Sequence, residues 1–404
     1  MSQLRRKRIL FIAEAVTLAH ATRPFVLAQA LDPAEYEVYF ACASRFQFIC
    51  ASAPFRCLDL NSISHESFLA ALSAGTRLYS RATLETYVHD DLKLIQSVQP
   101  DVIVGDFRLS LAVSAQLAGV PHIALANAYW SPYTVRREFP VPDLSFARVT
   151  GVPVAAKLFG LTQRLIFAYH ATPLNAVRKK FGLAPLAGLL DAYTYGDYTL
   201  YADLPKLFPT AQLPSHHRYL GPVLWSPAIP VKDAPEDGGN ERPLIYISLG
   251  SSGATNVLPK VIAAVERLPV TALVATAGRV ALGRTPANVS VADYLPGDKL
   301  CEIARMVICN GGSPAVYQAL AKGTPVIGIA SNLDQFLCMS GVENMNAGIL
   351  LRASHTTRRS ITNAIETMID HPLYRQSAQN LAAQISATDA VRTFRSLLQE
   401  IHKD

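Results

Sequence analysis

Residues 307–335 read VICNGGSPAVYQALAKGTPVIGIASNLDQ. Val307 and Ile308 open a short β-branched run that stops at Asn310-Gly311-Gly312-Ser313. Residues 315–322 have helix-forming composition and end at Gly323, a residue suited to the left-handed position just past a helix. Thr324-Pro325 turns the chain into a second apolar run, residues 326–330. Strand, glycine turn, helix, glycine and strand make one βαβ unit. Glycines at the strand-to-helix turn let a ligand approach the backbone, and the N–H groups of the helix start favour an anion. Asp334-Gln335 falls just past the second strand, at the carboxyl edge of a parallel sheet, where ligands bind.

The same alternation runs outward from this unit. Residues 8–13 and 38–43 read as strands, separated by a loop over 14–23 and a helix from Pro24 to about residue 30. Helices over 67–78 and 82–97 precede strands at 101–105 and 122–126. Residues 127–224 are less regular, with helical stretches at 152–169 and 173–181 and short strands at 197–202 and 218–223. Residues 226–242, SPAIPVKDAPEDGGNER, are rich in Pro, Gly and charge and read as a linker. Strands at 243–249, 270–275 and 289–294, with helices at 256–267 and 300–304, then lead into the opening unit. Two helical pieces run from 354 to about 401. The pattern predicts an α/β protein of two Rossmann-like, doubly wound parallel-sheet domains facing a cleft. The expected division is 1–225, a linker at 226–242, 243–380, and a C-terminal helix at 381–404 packing back on the first domain.

Composition agrees with a folded chain. Of 404 residues, 50% are hydrophobic and 17% charged, enough apolar surface for two cores. The net charge of +6 is modest, and no Lys/Arg block stands out beyond Arg5-Arg6-Lys7-Arg8, which argues against nucleic acid. A small anionic ligand suits the charge as well as plain solubility does. Glu14 interrupts the apolar run after this block, short of the roughly 7–15 residues of a secretory signal. The six scattered cysteines form no metal-ligand spacing and fit reduced thiols. A cytoplasmic protein, at most peripheral to a membrane, is expected.

The order Gly-Gly, helix, Gly-x-Pro, apolar strand, Asp-Gln resembles the donor-binding signature of the GT-B glycosyltransferases. These are the UDP-glycosyltransferases and the bacterial macrolide and antibiotic glycosyltransferases. The resemblance implies an inverting, metal-independent transfer from a nucleotide-diphosphate sugar, which is a co-substrate, with no resident cofactor. Ala19-His20-Ala21-Thr22-Arg23 is similar to the family's Gly-His turn, whose histidine is the general base; Ala19 stands where glycine is common. Imidazole suits that task because its ordinary pKa of about 6.5 lets it take a proton near neutrality. Asp106, ending the strand at 101–105, matches the aspartate that pairs with that histidine, and also suits an N-cap.

On the donor side the resemblance implies that Gly250, Ser251 and Ser252 touch phosphate and that Tyr294 and Leu295 meet the base. It implies that Gly311, Gly312 and Ser313 hold the diphosphate, and that Asp334 and Gln335 reach the sugar hydroxyls. Three positions depart from the pattern. Asn310 stands where histidine is common, Ala315 where Ser or Thr is, and Gln318 where Glu holds the ribose. Asparagine donates a hydrogen bond but carries no charge. Tyr129, Trp130 and Tyr133, past a sheet edge, are candidates to line a pocket for a small hydrophobic acceptor. Two alternatives stay open: a lipid-acceptor transferase of the same fold at a membrane surface, and an inactive nucleotide-sugar-binding partner module.

Overall fold

Strand β1 (Lys7–Ala13) is a continuous apolar run because its sheet is covered on both faces, and its last five residues are buried. The computed structural model describes residues 5–51, 53–136, 138–226, 242–250, 253, 255–276, 278 and 285–402. These fall into two compact units, one within 1–137, 158–223 and 388–404, the other within 138–157 and 224–387.

Helix α1 (Leu18–Gln29) follows β1, then β2 (Tyr36–Cys42), β3 (Arg56–Asp59), α2 (His65–Ala74) and α3 (Arg81–Val98). Ser64 and Ser80 cap α2 and α3 by accepting the N–H groups of Ser67 and Thr83. Next come β4 (Val102–Asp106), α4 (Leu111–Ala118), β5 (His122–Ala126), α5 (Ser145–Thr150), α6 (Val152–Lys180), α7 (Leu189–Tyr193), β6 (Tyr198–Tyr201) and β7 (His217–Tyr219). Among the described residues the strands form one parallel sheet in the order β3-β2-β1-β4-β5-β6-β7. The order reverses between β1 and β4, where Ala13 pairs with Asp106. Such a switch point leaves a crevice at the carboxyl ends of the strands.

Besides α5 and the first residues of α6, the second unit carries β8 (Leu244–Ser248), α8 (Leu258–Val265), β9 (Thr271–Ala275), β10 (Val289–Ala292), α9 (Gly297–Ile303), β11 (Met306–Cys309) and α10 (Ser313–Ala321). It continues with β12 (Val326–Ala330), α11 (Leu333–Asn344), β13 (Gly348–Arg352), α12 (Arg358–Asp370) and α13 (Leu373–Ser386). Its parallel sheet runs β10-β9-β8-β11-β12-β13, with the switch point between β8 and β11. Ile245, Ile247, Val274, Ile308 and Ile327 join Val261 and Ile365 in one core, so α8 and α12 pack together on one face of the sheet. The last helix, α14 (Ala390–Ile401), lies in the first unit: Phe394 meets Phe11 of β1 at 6.0 Å, and Arg218 pairs with Glu400 at 2.7 Å.

Three expectations change. The segment 14–23 is not all loop, because α1 starts at Leu18 and holds Pro24 inside it. Proline removes one helical hydrogen bond, but the buried ion pairs of Arg23 in the preceding turn hold the chain helical. The helices expected at 152–169 and 173–181 are one helix, α6, carried past Pro173 by a buried face of Phe167, Ala171, Leu174 and Val177. The segment after 354 makes three helices rather than two, since Pro372 and the Asp389 cap each start a new one.

Candidate functional site

At the switch point of the first unit, β4 delivers Asp106, fully buried, and the first turns of α1 deliver His20 and Arg23. His20 Nδ1 lies 2.8 Å from Asp106 Oδ1. Arg23 forks onto the same carboxylate, Nη2 to Oδ1 at 2.8 Å and Nε to Oδ2 at 2.9 Å, and its Nη1 donates to Asn127 Oδ1 at 2.7 Å. Asn127 in turn donates to Asp203 at 3.1 Å. Burial acts to raise the Asp106 pKa, but Arg23 and His20 outweigh it and hold the carboxyl below its ordinary value. Arg23 Nη2 is also 3.3 Å from His20 Nδ1. A guanidinium only donates, so the shorter contact to the charged carboxylate assigns the Nδ1 proton to the Asp106 bond. Nε2 is then the imidazole's acceptor, on a side chain that is 19% exposed. The structure thus brings His20 and Asp106 together, and adds Arg23 and Asn127, to which the sequence assigns no role.

A second buried network supports this edge. Arg108 bonds Glu14 at 2.8 Å and Asp91 at 3.0 Å, and its guanidinium sits 3.6 Å over the Tyr87 ring. Asp91 also accepts from Ser110 and Ser114. Burial pushes the Glu14 pKa up despite Arg108. Glu14 N–H donates to the Asp106 carbonyl at 3.0 Å, so the network pins the strand end that carries the carboxylate.

Phe107, in the left-handed region at φ 58°, stacks on His20 with ring centroids 4.6 Å apart. Tyr193 meets Phe107 and Trp130 edge-on, at 5.0 Å each. An aromatic line therefore runs from His20 to Trp130. Two small cavities, about 20 Å³ each, adjoin it, and both are lined by Leu109, Ala192 and Tyr193. Trp130 belongs to this wall. Tyr129, expected beside it, is instead a core residue, 2% exposed against Phe208, because the 3-10 turn at Ala128–Trp130 points adjacent side chains apart. Tyr133 packs on His217 at 5.3 Å. Proximity in sequence to a sheet edge did not separate these three residues.

In the second unit, the turns after β8 and β11 adjoin at the switch point. A Cβ on Gly250 would lie 3.5 Å from Asn310 Nδ2. Asn310 is buried, and its Oδ1 accepts the Gly312 N–H at 3.1 Å, which shapes the loop. Gly312 is the N-cap of α10 and provides no side-chain cap, while Ser313 and Pro314 form its first turn. Gln318, one helix turn on, packs on Gly297 at the start of α9, two residues after Leu295 in the chain. Tyr294 is 61% exposed, so it is not a core tyrosine. Asp334 lies in the first turn of α11, half-buried. Gln335 is 2% exposed, and its Oε1 accepts from Ser331 N–H at 2.9 Å and Asn332 N–H at 3.4 Å, closing a capping box. Ser251 and Ser252 lie outside the described residues.

A family model described as erythromycin biosynthesis protein CIII-like, C-terminal domain, matches residues 260–393. Over 379 residues the chain is 49% identical to a PGL/p-HBAD biosynthesis rhamnosyltransferase of Mycobacterium bovis (strain BCG / Pasteur 1173P2), covering 94% of this chain and 84% of that relative. The chain belongs to this glycosyltransferase family. The glycosyltransferase is also 49% identical over 264 residues to a protein of the same organism named as an inactive PGL/p-HBAD biosynthesis glycosyltransferase, covering 65% of this chain and 72% of that one. Its fold is that of the spinosyn rhamnosyltransferase SpnG solved with thymidine diphosphate, with a TM-score of 0.67 at 19% identity over 97% of this chain and 99% of that one. The two parallel-sheet units are the GT-B architecture.

Three properties of this glycosyltransferase follow from the geometry. Gly311 has φ +78°, and a Cβ there would lie 2.6 Å from Met339 Cγ. Gly311→Ala is expected to cost roughly 2–4 kcal/mol, from left-handed strain plus overpacking; urea unfolding midpoints check this. Gln335→Ala should cost about 1 kcal/mol through the lost cap, read from the same unfolding midpoints. His122 is 5% exposed, neither ring nitrogen has a hydrogen-bond partner among the described residues, and burial pushes its pKa from 6.5 down to about 4. Below pH 6.5 the unfolded chain takes a proton that the folded chain refuses. Stability from this group is therefore complete above pH 6.5 and lost as pH falls towards 4. Between pH 7.5 and 5 this amounts to about 2 kcal/mol, and His122→Leu should flatten that part of the stability curve measured by chemical denaturation.

Proposed function

We propose that this glycosyltransferase is inverting and metal-independent, and moves a sugar from a UDP- or TDP-linked donor to a hydroxyl of a small hydrophobic acceptor. The observation that carries the reading is the His20–Asp106 pair at 2.8 Å, which turns Nε2 outward as a proton acceptor. The acceptor O–H gives its proton to Nε2 while its oxygen bonds the anomeric carbon. The bond to the diphosphate oxygen breaks, and the nucleoside diphosphate leaves with that electron pair. Asp106, held ionised by Arg23, steadies the imidazolium that forms. The start of α10 after Gly311-Gly312 suits the leaving diphosphate, since first-turn N–H groups lack helical acceptors. In this reading Trp130 and Tyr193 face the acceptor.

The test is a melting-temperature panel of UDP, TDP, GDP, ADP and CMP and their sugars, followed by transfer assays with the ligand that binds. A TDP-linked rhamnose heads the panel, because one relative is named a rhamnosyltransferase and SpnG was solved with thymidine diphosphate. A ligand at ~100 times its Kd adds about 2.7 kcal/mol. Product yield should be the same with and without EDTA. No shift with any nucleotide would overturn the donor assignment. A second reading, a binding module without catalysis, draws on Asn310, Ala315 and Gln318 and on the relative named as inactive. Donor binding with neither transfer nor donor hydrolysis would favour it.

A further inference from the structure

Helix α6 presents an apolar face on each side. Ala155, Phe159, Phe167, Ala171, Leu174 and Val177 are buried, as an amphipathic helix requires. The opposite face should be polar, yet it carries Leu158, Leu161, Leu165 and Tyr169, spaced three or four residues apart and therefore in one row. Leu161 is 77% and Leu165 74% exposed. Single exposed leucines are ordinary, whereas a continuous row of them marks an interaction surface.

The helix itself carries charge of one sign. Between Asp143 and Asp191 the sequence contains no Asp or Glu and six basic residues, of which Lys157 and Arg164 are exposed along the row, Arg178 is buried, and Lys180 pairs with Glu85 at 2.9 Å. Arg164 is exposed beside the row, and Arg77 sits 4.6 Å over the Tyr169 ring at its end. Exposed leucines flanked by cations, with an aromatic ring at one end and no anion on the helix, are the chemistry of a helix lying in the headgroup boundary of an anionic bilayer. Among the described residues no helix is long and apolar enough to cross a membrane.

We infer that the Leu158–Tyr169 face of α6 docks on an anionic lipid surface. The leucines enter the acyl boundary, while Arg164 and Arg77 extend to the phosphates. A docked transferase meets hydrophobic acceptors where they partition. That corollary rests on the acceptor class proposed above; the docking itself does not.

The experiment is co-sedimentation of the full chain, without substrate, with vesicles of phosphatidylcholine alone or with 30 mol% phosphatidylglycerol. Partitioning into the anionic vesicles should be at least tenfold stronger and should weaken with salt. The double variant Leu161→Glu/Leu165→Glu should lose it tenfold or more at an unchanged melting temperature, since both side chains are already in solvent. Equal binding to both vesicle types, no binding to either, or full binding by the double variant each overturns the proposal. A wild-type dimer in light scattering that the double variant dissolves, with no vesicle binding, would assign the face to a second copy instead. Any of these failures leaves nucleotide binding and transfer to be judged by their own assays.

Discussion

His20→Ala is expected to lower turnover by a factor of about 10² to 10⁴, the range general-base catalysis supplies, while leaving donor affinity unchanged. The side chain lies at the edge of its network, and Asp106 keeps the two-pronged bond from Arg23 when the imidazole is gone. The unfolding midpoint should therefore fall modestly, by roughly 1.5–3 kcal/mol for one lost hydrogen bond to a charged group. Steady-state rates with saturating donor, beside calorimetric donor binding, separate the two effects. Undiminished turnover would remove His20 from the chemistry. Weakened donor binding at unchanged turnover would move it to substrate recognition.

Asp106→Asn should do more damage of a different kind. It removes the charge that two donors share, the buried Arg23 and the part-exposed His20 imidazole. Breaking one side of a buried pair leaves the other charge uncompensated, at a cost of roughly 3–5 kcal/mol. Activity should fall as well, because an amide at this position no longer dictates which ring nitrogen of His20 carries the proton. The effect has a pH signature. The Asp106 pKa is depressed in the folded chain, so its stabilisation is present above the ordinary carboxylate pKa of 3.8 and lost as pH falls through the lower folded value. Wild type and variant should differ most near neutrality and converge in strong acid. Chemical denaturation at pH 7 and pH 3 reads this directly, and a difference independent of pH would show that Asp106 is not an ionised partner of Arg23.

The residues that were legible in advance share a cause. Strands such as Val326–Ala330 are buried on both faces and write continuous apolar runs, so both sheets and their carboxyl edges could be located. His20, Asp106 and Gly311 sit next to those edges, where topology alone marks a ligand site. What stayed hidden was buried charge. Glu14, Arg23, Asp91 and Arg108 look like surface residues in a sequence, because nothing local tells that each has a partner far along the chain. The sequence separation of 94 between Arg108 and Glu14 is closed only by the sheet. Gln335 was half legible: Asn332 three residues before it is the spacing of a capping box, a signal that competes with a sugar-binding reading of the same side chain. Tyr129 and Trp130 were inseparable because a three-residue 3-10 turn, invisible in composition, decides which ring faces the core.

The anomeric configuration of the sugar after reaction tests the central claim most directly. Proton NMR on the first turnovers, with the donor the nucleotide panel selects, reads the coupling at the anomeric carbon in the glycoside or in the sugar released to water. A single displacement assisted by His20 predicts the configuration opposite to the donor's. A product with the donor's configuration retained would contradict it.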